Sequence, residues 1–243
     1  VNLNAGVSSV GHLTVQAGDA LKALTANADL VVSAATSTID VLAGGEVSMV
    51  DGAVVQSAGG DIRVQAKGGD ITLGEINAGT GDVALVASGS VLDLATDTSV
   101  VDVTADGLLI TAGTAVGADD NALETAVNSL SSKSTAGGTW ITESDGLSLD
   151  AVSVSVNRVG AAGATSATTA TVQSDVVAGT DVVLQTLDGA LSSVVTDGDI
   201  SVGGDILLKT AELDEATAAG ISLAGSVSST GGALSVDAAD AVL

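Results

Sequence analysis

The sequence predicts an all-β protein, a parallel right-handed β-helix in which short strands coil into stacked turns. Three observations predict this fold: a recurring Gly-Asp strand unit, a supply of small aliphatic residues for the core, and the complete absence of proline. The hydrophobic share of 46% and the mean hydropathy of +0.53 are too high for an acidic disordered chain. An antiparallel β-sandwich remains the alternative, because its strands also recur every 8 to 12 residues or so.

The recurring unit is Gly, often Asp, and then an aliphatic–polar–aliphatic triplet with the period of two that strands have. Gly and Asp suit corners, where the backbone needs a positive φ or a local bond from an Asx side chain. Equivalent units recur near 20 residues, which predicts roughly a dozen turns and a rod of about 55–60 Å. The residues predicted to fill the core are Ile62, Val64, Ile71, Leu73, Val83, Leu85, Val182, Leu184, Ile200, Ile206 and Leu208.

The residue types that are missing fit the same fold. The chain of 243 residues has no Pro, Cys, Phe or Tyr, and one each of Trp, Met and His. Average usage would give about a dozen prolines, but a residue without an N–H breaks a ladder bond in any strand with neighbours on both sides. The absence of Cys excludes disulfides and thiolate metal sites, and a narrow coil can be packed by aliphatic side chains alone.

One stretch departs from the repeat and predicts a short helix over 119–133. Leu123, Val127 and Leu130 recur there at helical spacing, and would pack against the flank of the coil. Trp140 would bridge this helix and the sheet. We therefore expect one continuous solenoid over 1–243 with a helix-containing insertion at 117–139, and a loop or polar turn at 160–171.

Two segments of the chain resemble the repeat region of giant bacterial surface proteins of the filamentous-haemagglutinin type. The matching positions are Asn121, Leu123, Glu124 and Thr125, followed by Thr142, Glu143, Asp145, Gly146 and Leu147. The resemblance implies a secreted adhesin or β-helical stalk, extracellular or associated with the outer membrane at the cell surface. It also implies further copies of the same repeats in the parent chain, and the strand pattern running to both ends leads us to expect a segment of a longer protein.

Charge narrows the choice of partner. The 30 acidic and six basic side chains give a formal net charge of −24, which repels nucleic acids and anionic membrane surfaces. No run of about 18 apolar residues predicts membrane insertion by this segment. We expect a structural segment acting in cell attachment or cell–cell contact, with a cell-surface glycan or protein receptor as partner. The alternatives are a glycan- or receptor-binding module and a self-assembling extracellular filament or sheath subunit.

A polysaccharide-active enzyme is a further alternative, since β-helices can carry paired carboxylates. Its candidate acids are Asp119, Asp120, Asp197, Asp199, Glu212, Asp214 and Glu215. Capping and corner roles explain these acids, so we expect no catalytic site and no cofactor. Calcium is the one ligand to weigh, because it takes carboxylate oxygens, and Asp197, Asp199 and Asp205 are its candidate ligands.

Overall fold

A computed structural model describes residues 1–23, 25–94, 101–213 and 218–240, and these residues form a parallel β-solenoid of about nine turns. The described residues contain no helix, and hence no helix long and apolar enough to cross a membrane. The strands are β1 Asn2–Leu3, β2 Val7–Ser9, β3 Leu13–Ala17, β4 Leu21–Ala23, β5 Leu30–Ala35, β6 Ile39–Ala43, β7 Val47–Met49, β8 Val54–Ala58, β9 Ile62–Ala66, β10 Ile71–Thr72, β11 Glu75–Asn77, β12 Val83–Ala87, β13 Val91–Leu92, β14 Val103–Ala112, β15 Leu123–Ser134, β16 Thr139–Glu143, β17 Leu147–Leu149, β18 Val152–Val154, β19 Asn157–Val159, β20 Thr165–Ala167, β21 Thr171–Gln173, β22 Val176–Ala178, β23 Val182–Thr186, β24 Leu191–Ser193, β25 Ile200–Val202, β26 Ile206–Thr210, β27 Ile221–Leu223, β28 Val227–Ser229 and β29 Leu234–Asp237.

Each turn contributes strands to three faces of the solenoid. The first face stacks β1, β4, β7, β10, β13, β16, β23, β26 and β29, with Val116 bridging β13 and β16. The second stacks β2, β5, β8, β11, the first parts of β14 and β15, and then β17, β24 and β27. The third, called face C here, stacks β3, β6, β9, β12, the second parts of β14 and β15, and then β22, β25 and β28.

The turns are longer and fewer than the repeat spacing predicts. Asn2 lies opposite Lys22, 20 residues on, whereas Ile200 lies opposite Val227, 27 residues on. About nine turns at 4.7–4.9 Å give a rod of about 40–45 Å. The regular Gly-Asp units come from the shorter turns, and corners of variable length lengthen the others.

One aliphatic core runs through the turns. All eleven residues that the repeat places in the core are at most 2% exposed. They alternate with outward residues, as in β9 and β23, where inward and outward positions follow each other strictly. Stacking places like on like, since Ile62 lies opposite Val83 and Leu184 lies opposite Leu208.

The predicted helix over 119–133, and with it the helix-containing insertion at 117–139, is wrong. Residues Leu123–Ser134 form the strand β15, in which Leu123 and Val127 point inward at a spacing of four, twice the strand period. The inward phase shifts near Asn128, so Leu130 is buried as well. Polar residues at inward positions, such as Thr125, hide the alternation and leave a pattern that resembles a helical stripe.

Trp140 consequently has no helix to bridge. It occupies a half-buried outward position of β16, between Thr139 and Ile141, which point inward. Its indole covers Gly138, where an added Cβ would lie 2.5 Å from the ring. The ring therefore lies on the outer surface of the solenoid and does not fill its core.

Close stacking explains the corner glycines better than positive φ does. A Cβ on Gly44 would lie 2.1 Å from the carbonyl oxygen of Gly18, and one on Gly203 would lie 2.1 Å from that of Gly179. Neither Gly44 nor Gly203 has a positive φ. These glycines permit neighbouring turns to approach at the ladder spacing.

The motif aspartates bond between turns, whereas the sequence suggested bonds within a corner. Asp181 Oδ1 accepts the N–H of Asp205, 24 residues on, at 2.8 Å, and Asp205 Oδ1 accepts the N–H of Ala233 at 2.6 Å. The same contact joins Asp61 to Asp82, Asp70 to Ser90, Asp175 to Asp199, and Asp199 to Ser226. Each bond has a charged acceptor, so it is stronger than a neutral one and fastens one turn to the next.

A β-hairpin leaves the solenoid between β17 and β22 and folds back over face C. In it β18 pairs antiparallel with β21, and β19 with β20. The side chains of Val152, Val154 and Val156 cover Ala84 and Leu109, which point outward from the solenoid, and form a second small core. The expected loop or polar turn at 160–171 is the far part of this hairpin.

Candidate functional site

The hairpin binds to the solenoid through its backbone. Three alternate residues donate their N–H groups to side chains of face C: Ser155 to Asp61 Oδ2 at 3.1 Å, Asn157 to Thr38 Oγ1 at 2.8 Å, and Val159 to Thr14 Oγ1 at 2.8 Å. The acceptors lie on separate turns, so the hairpin runs across the strands of the face. Hydroxyl and carboxylate groups on the outer surface thus take the place of a partner strand.

The side chain of Asp40 is the electrostatic centre of this junction. It points outward from β6 but is 0% exposed, because the hairpin and its own neighbours cover it. Arg63 donates from Nε and Nη2 to Asp40 Oδ1, at 3.0 and 2.9 Å. Arg158, from the hairpin, donates from Nε to Asp40 Oδ2 at 2.7 Å. One buried carboxylate therefore holds two guanidinium groups from different parts of the chain.

A second cluster is acidic. Carboxyl oxygens of Asp93, Asp102 and Glu124 lie within 4.8 Å of one another, and the two aspartates are buried. Burial, with the charge of Asp93 adding to it, raises the pKa of Asp102 to about 9. Asp102 Oδ2 also accepts the N–H of Glu124 at 2.9 Å. The oxygens are of the kind that hard cations prefer, but at neutral pH the raised pKa means that Asp102 holds a proton.

Glu143 is a third buried acid, placed inside a corner. Its Oε2 accepts the Thr125 hydroxyl at 2.6 Å, and its Oε1 accepts the N–H of Val127 at 3.1 Å. Burial raises the pKa of Glu143 to about 7, against these bonds, which favour the carboxylate. Thr125 lies opposite Glu143 in adjacent strands, so the two segments that carry the family resemblance stack directly on each other.

The three candidate calcium ligands belong to the inter-turn bonding. Asp199 and Asp205 each use Oδ1 to accept an N–H of the next turn, and Asp197 Oδ2 accepts the Thr196 hydroxyl at 3.0 Å. Within the described ranges, these three are not part of the group of carboxyls that lie within 4.8 Å of one another. Calcium binding by Asp197, Asp199 and Asp205 stays a prediction.

The other sequence candidates lie apart. Asp119 and Asp120 are in a turn before β15 and do not cap a helix, while Asp214 and Glu215 lie outside the described residues. His12 Nδ1 accepts the N–H of Thr38 at 3.0 Å at the foot of the hairpin junction, which gives the single histidine a structural contact.

Sequence reasoning missed the junction at Asp40. Arg63 and Arg158 are 95 residues apart, and nothing in their local sequence signals a shared partner. The one usable signal is scarcity, since a chain with six basic residues places each of them conspicuously.

Comparison with protein-family models gave no match, and neither the curated proteins nor the solved structures gave one. The resemblance to filamentous-haemagglutinin-type repeats therefore stays a prediction from the residues quoted above.

Proposed function

We propose that this chain is a stalk segment of a large secreted or cell-surface bacterial protein, which holds a distal part away from the cell in attachment or cell–cell contact. The observation that carries the proposal is the continuous stack of about nine turns, joined by ladder bonds and by aspartate bonds from turn to turn. Length is gained by repetition in such an architecture.

The end turns are consistent with stacking beyond the described residues. Leu234 lies opposite Ile206 and occupies the same inward-facing position, but it is 52% exposed whereas Ile206 is 2% exposed. A further turn, in the same chain or in another copy, would cover this edge. We propose that the parent protein supplies it.

Lengthening the stalk tests the proposal. A second tandem copy of residues 1–240 in the parent protein should increase the distance from cell surface to tip by about 40–45 Å in electron cryotomograms. The matched control is the same duplication with Ile71→Asp in the added copy, which should not form a rod. Recovery of the parent protein inside the cell, or an unchanged distance, would contradict the stalk function.

A further inference from the structure

Half of the basic residues of this acidic protein line one cavity. Arg63, Lys67 and Arg158 are three of its six basic residues, and they line a cavity of about 420 Å³ between face C and the hairpin. The remaining lining residues are Leu42, Gln65, Ser166, Ala167, Thr168 and Thr169. No acidic side chain is among the described residues that line it. This space is called the basic cavity below.

Holding the hairpin in place accounts for only part of this positive charge. Asp40 carries one negative charge, and the two arginines that it binds carry two positive charges. Lys67 is exposed and makes no ion pair within the part of the chain that the structure describes. A structural pair would need one cation, so about two positive charges face the cavity without a counter-charge.

The arginines also keep donors available. Arg158 uses its Nε on Asp40, and neither of its terminal nitrogens bonds to a described residue. Asp40 holds the guanidinium by one edge, and the remaining edge has the fork of N–H groups that binds a carboxylate through two parallel bonds. The hairpin thus positions an anion-binding group that its own fold does not consume.

The rest of the lining defines the ligand further. Gln65, Ser166 and Thr169 bring an amide and two hydroxyl groups, which exchange hydrogen bonds with ligand hydroxyls. The volume is in the range of small-molecule sites. We propose that the basic cavity binds a small polyhydroxylated carboxylate, that is, a sugar acid, with its carboxylate at Arg158 and Lys67 and its hydroxyls toward the hairpin.

Titration calorimetry of the whole chain with three probes tests the proposal. Glucuronate carries both features, glucose has the hydroxyls without the charge, and acetate has the charge without the hydroxyls. Glucuronate should bind more tightly than either. Lys67→Gln should weaken glucuronate binding about threefold to tenfold, as expected for a partly solvated charged hydrogen bond.

The control variant is Lys133→Gln, which changes the same charge at an exposed lysine of face C that does not line the cavity. It should leave the affinity for glucuronate unchanged. Equal affinity for acetate and glucuronate, binding of glucose as tight as that of glucuronate, or equal losses in Lys67→Gln and Lys133→Gln would each overturn the proposal. Circular dichroism of both variants should show the wild-type fold, since both lysines are exposed.

Discussion

Arg158 and Asp40 are 118 residues apart in sequence, yet Nε of the arginine lies 2.7 Å from Oδ2 of the aspartate. This contact fastens a hairpin that leaves the solenoid after β17 to a strand of the second turn. The hairpin thereby spans several turns from outside, as a brace parallel to the stacking direction. The protein is therefore a solenoid whose outer face is partly covered by its own chain.

The Arg158–Asp40 contact yields the first prediction. Arg158→Gln should cost about 1 kcal/mol of unfolding free energy, because the arginine is partly exposed and its pair is screened. The amides of Ser155, Asn157 and Val159 should exchange hydrogen faster, and Lys133→Gln should change neither quantity. Asp40→Asn should cost more, about 2–4 kcal/mol, because it leaves two arginines without their buried counter-charge. Equal effects of Arg158→Gln and Asp40→Asn would contradict the central place of Asp40.

The bonds between turns give a second prediction. Asp181→Ala removes the acceptor for the N–H of Asp205 and should lower the free energy of unfolding by about 1 kcal/mol. Asp181→Asn keeps a side-chain oxygen and should recover most of the loss. Chemical denaturation followed by circular dichroism measures both variants. If Asp181→Asn were as unstable as Asp181→Ala, the lost effect would lie in the charge and not in the hydrogen bond.

The buried acids predict how stability depends on pH. Burial raises the pKa of Glu143 to about 7 and that of Asp102 to about 9, both above the values in an unfolded chain. The folded protein therefore binds more protons between about pH 4 and pH 9, so the free energy of unfolding falls as pH rises through this range. Melting temperatures should decrease from pH 5 to pH 8.

Neutral variants should flatten this pH profile. Glu143→Gln and Asp102→Asn remove the titrating group, so each should reduce the loss of melting temperature between pH 5 and pH 8. Asp145→Asn, at a neighbouring acid whose pKa carries no such shift, serves as the comparison for a change of one charge. A melting temperature that rises with pH in the wild-type protein would rule out buried neutral acids at these positions.

The core predicts the largest effect of a single substitution. Ile71→Asp or Val83→Asp buries an unpaired charge at a position that is 0% exposed, and should cost more than about 4 kcal/mol and unfold neighbouring turns. Thr72→Asp changes the adjacent, outward position of β10 and should cost far less. Thermal unfolding compares the three, and a wild-type melting temperature in Ile71→Asp would mean that the inward face is misassigned.

The sequence predicts the stacking better than the departures from it. Ile62 and Val83 are identified correctly because regular units state both the period and the inward face. The β15 strand is missed because Thr125, Ser132 and Ser134 occupy inward positions, where their polarity breaks the apolar alternation. Local pattern alone cannot show that Glu143 of the next turn accepts the Thr125 hydroxyl.

The hairpin is hidden for the opposite reason. Val152, Val154 and Val156 alternate as a solenoid strand would, although they cover the outer surface. Its length gives the only sequence signal, since Ser132 finds its ladder partner Val176 44 residues on. The contact of Arg158 with Asp40, and with it the basic cavity, depends on this fold-back and follows from no local motif.

Pulling the chain by its two ends in a single-molecule force experiment tests the stalk most directly. A stack of turns that bears load should give discrete unfolding steps, in whole multiples of one turn of 20 to 27 residues, or about 70–95 Å of extended chain per turn. Featureless extension at the force of an unfolded chain would contradict a load-bearing solenoid.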